Sequence, residues 1–220
     1  MKERHGITAL TATLIATTLL LGNSQKVVAA APPTGIKNVV LVHGAFADGS
    51  GWEAVAKILE QDGYTEAGND PKVSALVYIA AFALDDGESC ASIEQALPQA
   101  SKAFKADSAG NWWIDQAHFA GDFAADVPPA VSHFMAISQV PISTDSFTHK
   151  VTNPAWKTKP TWYMVATADR SINPEQERMM AKRAHAKTVE VTASHVAYMS
   201  HPKETAKLIE EAATSASVNQ

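Results

Sequence analysis

Apolar positions along this chain switch between two periods. Compact, β-branched runs occur at 38–43 (Asn-Val-Val-Leu-Val-His), at 73–81 and at 161–167, the pattern of strands buried on both faces. The stretch at 187–192 alternates apolar and polar residues instead, which predicts a strand near a sheet edge. Between these runs the spacing turns helical. Trp52, Val55, Ala56 and Leu59 fall at i, i+3, i+4 and i+7, predicting a helix that stops at Gly63. Asn173-Pro174-Glu175-Gln176 predicts a helix start, with Asn173 as N-cap, proline in the first turn and Gln176 closing a capping box. The segment at 202–213 predicts a closing amphipathic helix, and 213–220 a frayed tail. Residues 82–158 show neither period and carry many aromatics, among them Trp112, Trp113, Phe119, Phe123 and Phe147. Strand–helix alternation predicts the α/β class, a mostly parallel sheet with flanking helices.

Composition narrows the partners. The chain has 220 residues, 46% of them apolar, enough for one domain with a sizeable core. Cys90 is its only cysteine, which excludes an internal disulfide and a thiolate zinc site. The net charge of −5 leaves no basic footprint for nucleic acid. Residues 1–30 form a separate unit, with Lys2 and Arg4 ahead of an uncharged apolar stretch and Val28-Ala29-Ala30 placing small residues at a cleavage site. This predicts a signal peptide and export to the periplasm or medium, with no stable membrane anchor after cleavage; the rival reading of the stretch is a transmembrane anchor. The remaining chain, 31–220, loses three of 18 basic and one of 23 acidic side chains and carries −7.

In a parallel sheet, ligands bind beyond the carboxyl ends of the strands. That rule selects His43, Gly44, Ala45 and Phe46 after the first strand, Asp169 after the run at 161–167, and His195 after the run at 187–192. A neutral imidazole takes a proton from a nucleophile only if its other nitrogen is held and its positive charge compensated, and a carboxylate on a neighbouring strand end does both. Asp169 and His195, separated by one predicted helix, are placed for this. The blander reading is that Asp169 caps a helix and His195 is an ordinary loop histidine. The His43-Gly44-Ala45-Phe46 turn suits either an oxyanion cradle of backbone N–H groups or a plain strand-to-helix turn.

Three stretches, Leu-Val-His-Gly-Ala-Phe-Ala-Asp-Gly-Ser-Gly-Trp from 41, Ala-Thr-Ala-Asp-Arg-Ser-Ile-Asn-Pro-Glu-Gln-Glu-Arg from 166 and Ala-Ser-His-Val-Ala-Tyr-Met-Ser-His-Pro from 193, resemble the α/β-hydrolase superfamily, in the branch of small esterases and hydroxynitrile lyases. The resemblance spans nearly all of 36–213. It implies an α/β-hydrolase fold with a helical cap, here about 82–158, and small ester-like substrates. It also implies a triad with Asp169 as acid and His195 as base, an oxyanion hole using the backbone of Ala45 or Phe46, and no cofactor or metal.

The expected nucleophile has no counterpart. The family carries it in a Gly-x-Ser-x-Gly elbow, because only small neighbours tolerate that strained turn, and no two glycines of this chain lie four apart. Relaxed matches surround Ser89 and Ser108; neither ends a predicted strand, and Cys90 has no supporting spacing. The stretch from Thr65 to Phe82 resembles the tail of the elbow helix and the following strand, so the fold reads as internally truncated, with a segment missing at the Tyr64/Thr65 join. Three readings stay open: an esterase-type hydrolase that is weak or inactive, a non-catalytic small-molecule binding module, and a hydrolase with a displaced serine. His118, His133, His149, His185 and His201 are scattered without metal-ligand spacing. Trp112 and Trp113 fit a pocket wall or cap packing equally well.

Overall fold

The computed structural model describes residues 38–42, 44–61, 65–66 and 73–217. The predicted signal peptide, His43 and Tyr64 lie outside the described residues. In chain order the elements are β1 (Asn38–Val39), α1 (Glu53–Gln61), β2 (Thr65–Glu66), β3 (Leu76–Ile79), α2 (Cys90–Ala96), β4 (Phe104–Ala106), β5 (Asn111–Ile114), α3 (Gln116–Asp122), α4 (Pro129–Ile137), β6 (Ile142–Ser143), α5 (Thr144–Thr148), β7 (Thr161–Ala166), α6 (Pro174–Arg183), β8 (Lys187–Val191), α7 (Ala197–Ser200) and α8 (Pro202–Ser217).

The central sheet among the described residues is β3-β7-β8, parallel throughout, with Tyr163 of β7 level with Tyr78 on one side and Thr188 on the other. Every residue of β7 is buried. Its side chains alternate between two cores. Tyr163 and Val165 join Met180 and Ala181 of α6, while Trp162, Met164 and Ala166 join Leu208 and Ala212 of α8. The sheet is therefore covered on both faces, as its apolar runs predict. β8 lies at the edge, with its first four residues exposed.

Three expectations change. The run at 38–43 predicts a strand buried on both faces, yet only Asn38–Val39 is strand and Val42 is 72% exposed. No hydrogen bond joins β1 to β3 among the described residues, although Val39, Leu41, Val77 and Ile79 pack on one core. Among the described residues no strand lies between β1 and β3 to cover the exposed valines, and apolar residues are buried only where a neighbour covers them. Thr65–Glu66, predicted as the end of a helix, is a strand parallel to β1. At α6, Asn173 caps by accepting the Glu175 N–H at 3.0 Å, as predicted, but Gln176 is fully buried and makes no capping-box bond.

Residues between β3 and β7 form a second layer. β4, β5 and β6 make a small antiparallel sheet accompanied by α2 to α5. The two ends of this segment are stitched together where they leave the sheet. Gly87 N–H donates to the Val151 carbonyl and Val151 N–H to the Glu88 carbonyl, both at 2.8 Å. Trp156 Nε1 donates to the Leu84 carbonyl at 2.8 Å, and Arg183 of α6 holds Glu88 at 2.5 Å.

These packing differences set the cost of truncation along the sheet. Met164→Ala, at the centre of β7, is expected to destabilise the protein by about 2–5 kcal/mol. Val189→Ala, on exposed β8, should cost under about 1 kcal/mol. Urea unfolding followed by circular dichroism checks both values.

Candidate functional site

Asp169 and His195 sit on the loops that leave β7 and β8. Those loops extend the ladder: Thr167 N–H donates to the Val191 carbonyl at 2.9 Å and Ala168 N–H to the Ala193 carbonyl at 3.1 Å. Beyond this lacing, His195 Nδ1 lies 2.6 Å from Asp169 Oδ2. A carboxylate can only accept, so the imidazole carries its proton on Nδ1 and presents Nε2 as a base. Asp169 is itself held, its Oδ1 accepting the N–H groups of Ser171 at 2.6 Å and Ile172 at 3.0 Å. The Asp169 side chain is 0% exposed and that of His195 16% exposed, so the pair is shielded and opens to solvent only through the imidazole.

The pair borders a cavity of about 420 Å³. Gly44, Ala45 and Phe46 line it, as does His195, so the strand-end residues selected from sequence meet in one place; His43 lies outside the described residues. Phe46 is buried with φ 63, a left-handed conformation that costs a bulky residue about 1–3 kcal/mol. Its ring is fixed between Phe104, 5.6 Å away, and Phe123, 6.4 Å away between centroids. The remaining wall is mostly apolar, with Phe82, Trp112, Ile142 and Phe147 contributed on or near the second layer. Trp112 thus faces the cavity, its Nε1 donating to Thr144 at 2.9 Å, while Trp113 is exposed.

None of the alternative nucleophiles is placed for attack. The Ser89 hydroxyl caps α2 in a reciprocal box with Ser92. Ser108 is exposed in the β4–β5 turn. Cys90 lines the cavity, but burial pushes its thiol up to about 11, which leaves it protonated and unreactive at neutral pH. Among the described residues no hydroxyl or thiol hydrogen-bonds His195 Nε2, and no cluster of His, Cys, Asp or Glu is arranged to hold a metal ion.

Several site residues were not found from sequence. Glu94 of α2 lines the cavity, and burial pushes its carboxyl up to about 7, against the lowering effect of the Gln99 N–H that it accepts at 3.1 Å. A single glutamate on a seven-residue helix gives no periodic signal. Glu177 of α6 is fully buried behind Asp169, its Oε2 accepting the Ala166 N–H at 3.1 Å. Burial first, and then the Asp169 charge and a hydrogen bond to its side chain, hold the Glu177 carboxyl far above the ordinary range. It therefore stands as a neutral acid at pH 7. Its signal was available: an acidic residue three before Met180, on the apolar face of its helix.

The sequence profile of the alpha/beta hydrolase family matches residues 59–208. No curated protein matches the chain in sequence. Among solved structures, a pyrethroid hydrolase from Sphingobium faniae is 19% identical, with a TM-score of 0.61 over 80% of this chain and 96% of that one. Polyneuridine aldehyde esterase is 13% identical, with a TM-score of 0.66 over 80% and 98%. An extracellular alpha/beta-hydrolase from a Paenibacillus species is 17% identical, with a TM-score of 0.62 over 80% and 98%. At such identities the likeness is one of fold.

The raised Glu177 carboxyl makes stability depend on pH with a definite sign. In the unfolded chain this group ionises near about 4.3, so from there up to its raised native value the folded chain binds more protons than the unfolded one. Stability is then lost as pH rises. Glu177→Gln keeps the shape without ionising. The variant is expected to gain stability relative to the parent progressively from about pH 5 to about pH 8, read as urea midpoints at each pH.

Proposed function

Because the chain belongs to the alpha/beta hydrolase family, we propose that it is an esterase-type relative that binds small, largely apolar ester-like molecules and hydrolyses them weakly. The observation that carries this reading is the shielded Asp169–His195 pair, 2.6 Å apart at the cavity wall, in a sequence without a Gly-x-Ser-x-Gly elbow. In this reading Asp169 and His195 are the catalytic residues, and the backbone of Gly44, Ala45 and Phe46, continuing from His43, is the oxyanion cradle. No cofactor enters the scheme.

The chemistry open to such a site uses water. His195 Nε2 removes a proton from a water molecule as its oxygen attacks the ester carbonyl, and the negative charge moves to the carbonyl oxygen beside Ala45 and Phe46. Collapse of that intermediate breaks the bond to the alcohol oxygen, which takes the proton back from the imidazolium. Acid and alcohol leave, and His195 is neutral again. General-base assistance of this kind contributes about 10²–10⁴-fold. An acyl-transfer triad without its nucleophile retains only about 10³–10⁴-fold over water. The elbow also supplies one oxyanion N–H from the residue after its serine, so its loss weakens both parts of the mechanism. The binding function needs only the cavity.

The names of the neighbours support the ester class, since they include a pyrethroid hydrolase and an aldehyde esterase. Export rests on the leader at 1–30 and agrees with the extracellular origin of the Paenibacillus relative.

The protein without its leader is expected to hydrolyse p-nitrophenyl acetate without a burst and to take up no fluorophosphonate on serine by intact mass. His195→Ala should lower the residual rate by on the order of 10²-fold. Inserting a strand–Gly-x-Ser-x-Gly–helix segment after Glu66 should restore burst kinetics. A stoichiometric serine adduct on the parent, abolished in His195→Ala, would show a displaced nucleophile and overturn this reading.

A further inference from the structure

Both loops of the Asp169–His195 pair are held from the second layer by one short stretch at the end of α3. Asp122, its last residue, accepts Arg170 Nε at 2.7 Å and the Ser101 hydroxyl at 2.7 Å, and its carbonyl accepts the Ser171 hydroxyl at 2.8 Å. Arg170 and Ser171 directly follow Asp169. Next in the chain, the Phe123 ring lies 4.8 Å from the His195 imidazole, tilted by 49°. Three residues on, Asp126 accepts the Ser194 N–H at 2.8 Å, the Ser194 hydroxyl, and the Ser200 hydroxyl at 2.8 Å. Ser194 precedes His195 and Ser200 closes α7 just after it, so a single carboxylate ties down the chain on both sides of the histidine.

We infer that Asp126 is a positioning residue for His195: by binding Ser194 and Ser200 it fixes the loop so that Nδ1 stays on Asp169 and Nε2 stays aimed into the cavity. The loop is laced at its start through Ala168 and Ala193, and Asp126 holds it on either side of His195. It belongs to no sheet, and Ser194 is buried, so without Asp126 its N–H would lose its partner in a place where an unmade bond is costly. Burial pushes the Asp126 carboxyl up, and the Ser194 and Ser200 donors outweigh this, leaving it below the ordinary aspartate range. It is therefore the charged, stronger form of acceptor at neutral pH. Phe123 completes the arrangement by backing the imidazole from the same stretch. A consequence for catalysis rests on the hydrolase reading above; the positional claim does not.

The test follows His195 itself, by proton–nitrogen NMR of the imidazole in the full chain without its leader, with His195→Ala identifying the signal. In the parent, the Nδ1 proton held by Asp169 should be shifted far downfield and slow to exchange. In Asp126→Ala, with folding checked by thermal melting, that resonance should broaden or vanish and the imidazole pKa should move. Asp126→Asn, which keeps one acceptor oxygen, should fall between. Glu190→Gln, which removes the distant Arg178–Glu190 pair, should leave the resonance unchanged. If Asp126→Ala does not fold, the double variant Ser194→Ala, Ser200→Ala decides the matter from the other side. A folded Asp126→Ala, or the double variant in its place, with the parent's resonance and imidazole pKa would overturn the inference. Where residual ester hydrolysis is measurable, kcat should fall by on the order of 10²-fold with KM held within about twofold. Absence of hydrolysis in the parent would defeat the hydrolase reading and leave the NMR result to judge Asp126 alone.

Discussion

Parallel pairing on both edges of β7 is the constraint from which the rest of the site follows. Parallel strands finish at the same side of a sheet, so the loops after β3, β7 and β8 emerge together. The lacing of Ala168 to Ala193 carries that register a step beyond the strands and brings a carboxylate and an imidazole to hydrogen-bond distance. The same strand sends Tyr163 and Val165 to one side and Met164 to the other, binding α6 and α8 to opposite faces. Because α6 is docked in this way, Glu177 reaches the main chain of Ala166 and the far side of Asp169.

Two further carboxyl groups, of Glu177 and Glu94, feel the charge of Asp169 in a mostly apolar setting. Like charges so close in low dielectric cannot all be carried. Burial first, and then the Asp169 charge, pushes Glu177 and Glu94 toward their neutral forms, leaving Asp169 as the hydrogen-bond partner of His195. The two differ in use. Glu177 does not line the cavity and bears on Asp169 from within the fold, whereas Glu94 faces the chamber and changes the polarity of its wall near neutral pH.

The sequence made the sheet and the histidine–carboxylate pair legible because both depend on local patterns with long reach. Uninterrupted apolar runs mark strands covered on both faces, and the carboxyl-end rule converts two strand ends into a site. The reading failed where burial depends on a neighbour that the described residues do not supply. The valines of 38–43 have the composition of an interior strand, yet Val42 stands open, with no strand among the described residues lying between β1 and β3. Thr65–Glu66 shows the same limit, since two residues carry no period and became a strand only through pairing with β1. The second layer was legible in its aromatics and not in its acids. Trp112, Phe119 and Phe123 stand out in any count of large side chains, but Asp122 and Asp126 draw their meaning from loops about fifty and seventy residues away, a separation whose closure entropy no local pattern encodes.

The stitching of Gly87 and Glu88 to Val151 bears on how such a protein changes over time. A closed neck separates what lies above it from what lies below. Closing a loop costs only about 0.6 kcal/mol more for each doubling of its length, so once the neck is formed, the sheet is nearly indifferent to how much chain the lid contains. The anchors at Trp156 and Arg183 stand outside the lid's interior. Insertions, deletions or wholesale exchange of the small antiparallel sheet can then reshape the chamber's walls while the strand ends beneath keep their register. The shape of the chamber thereby becomes adjustable through the β4–β6 sheet, as long as the end of α3, which holds both loops of the pair, is kept.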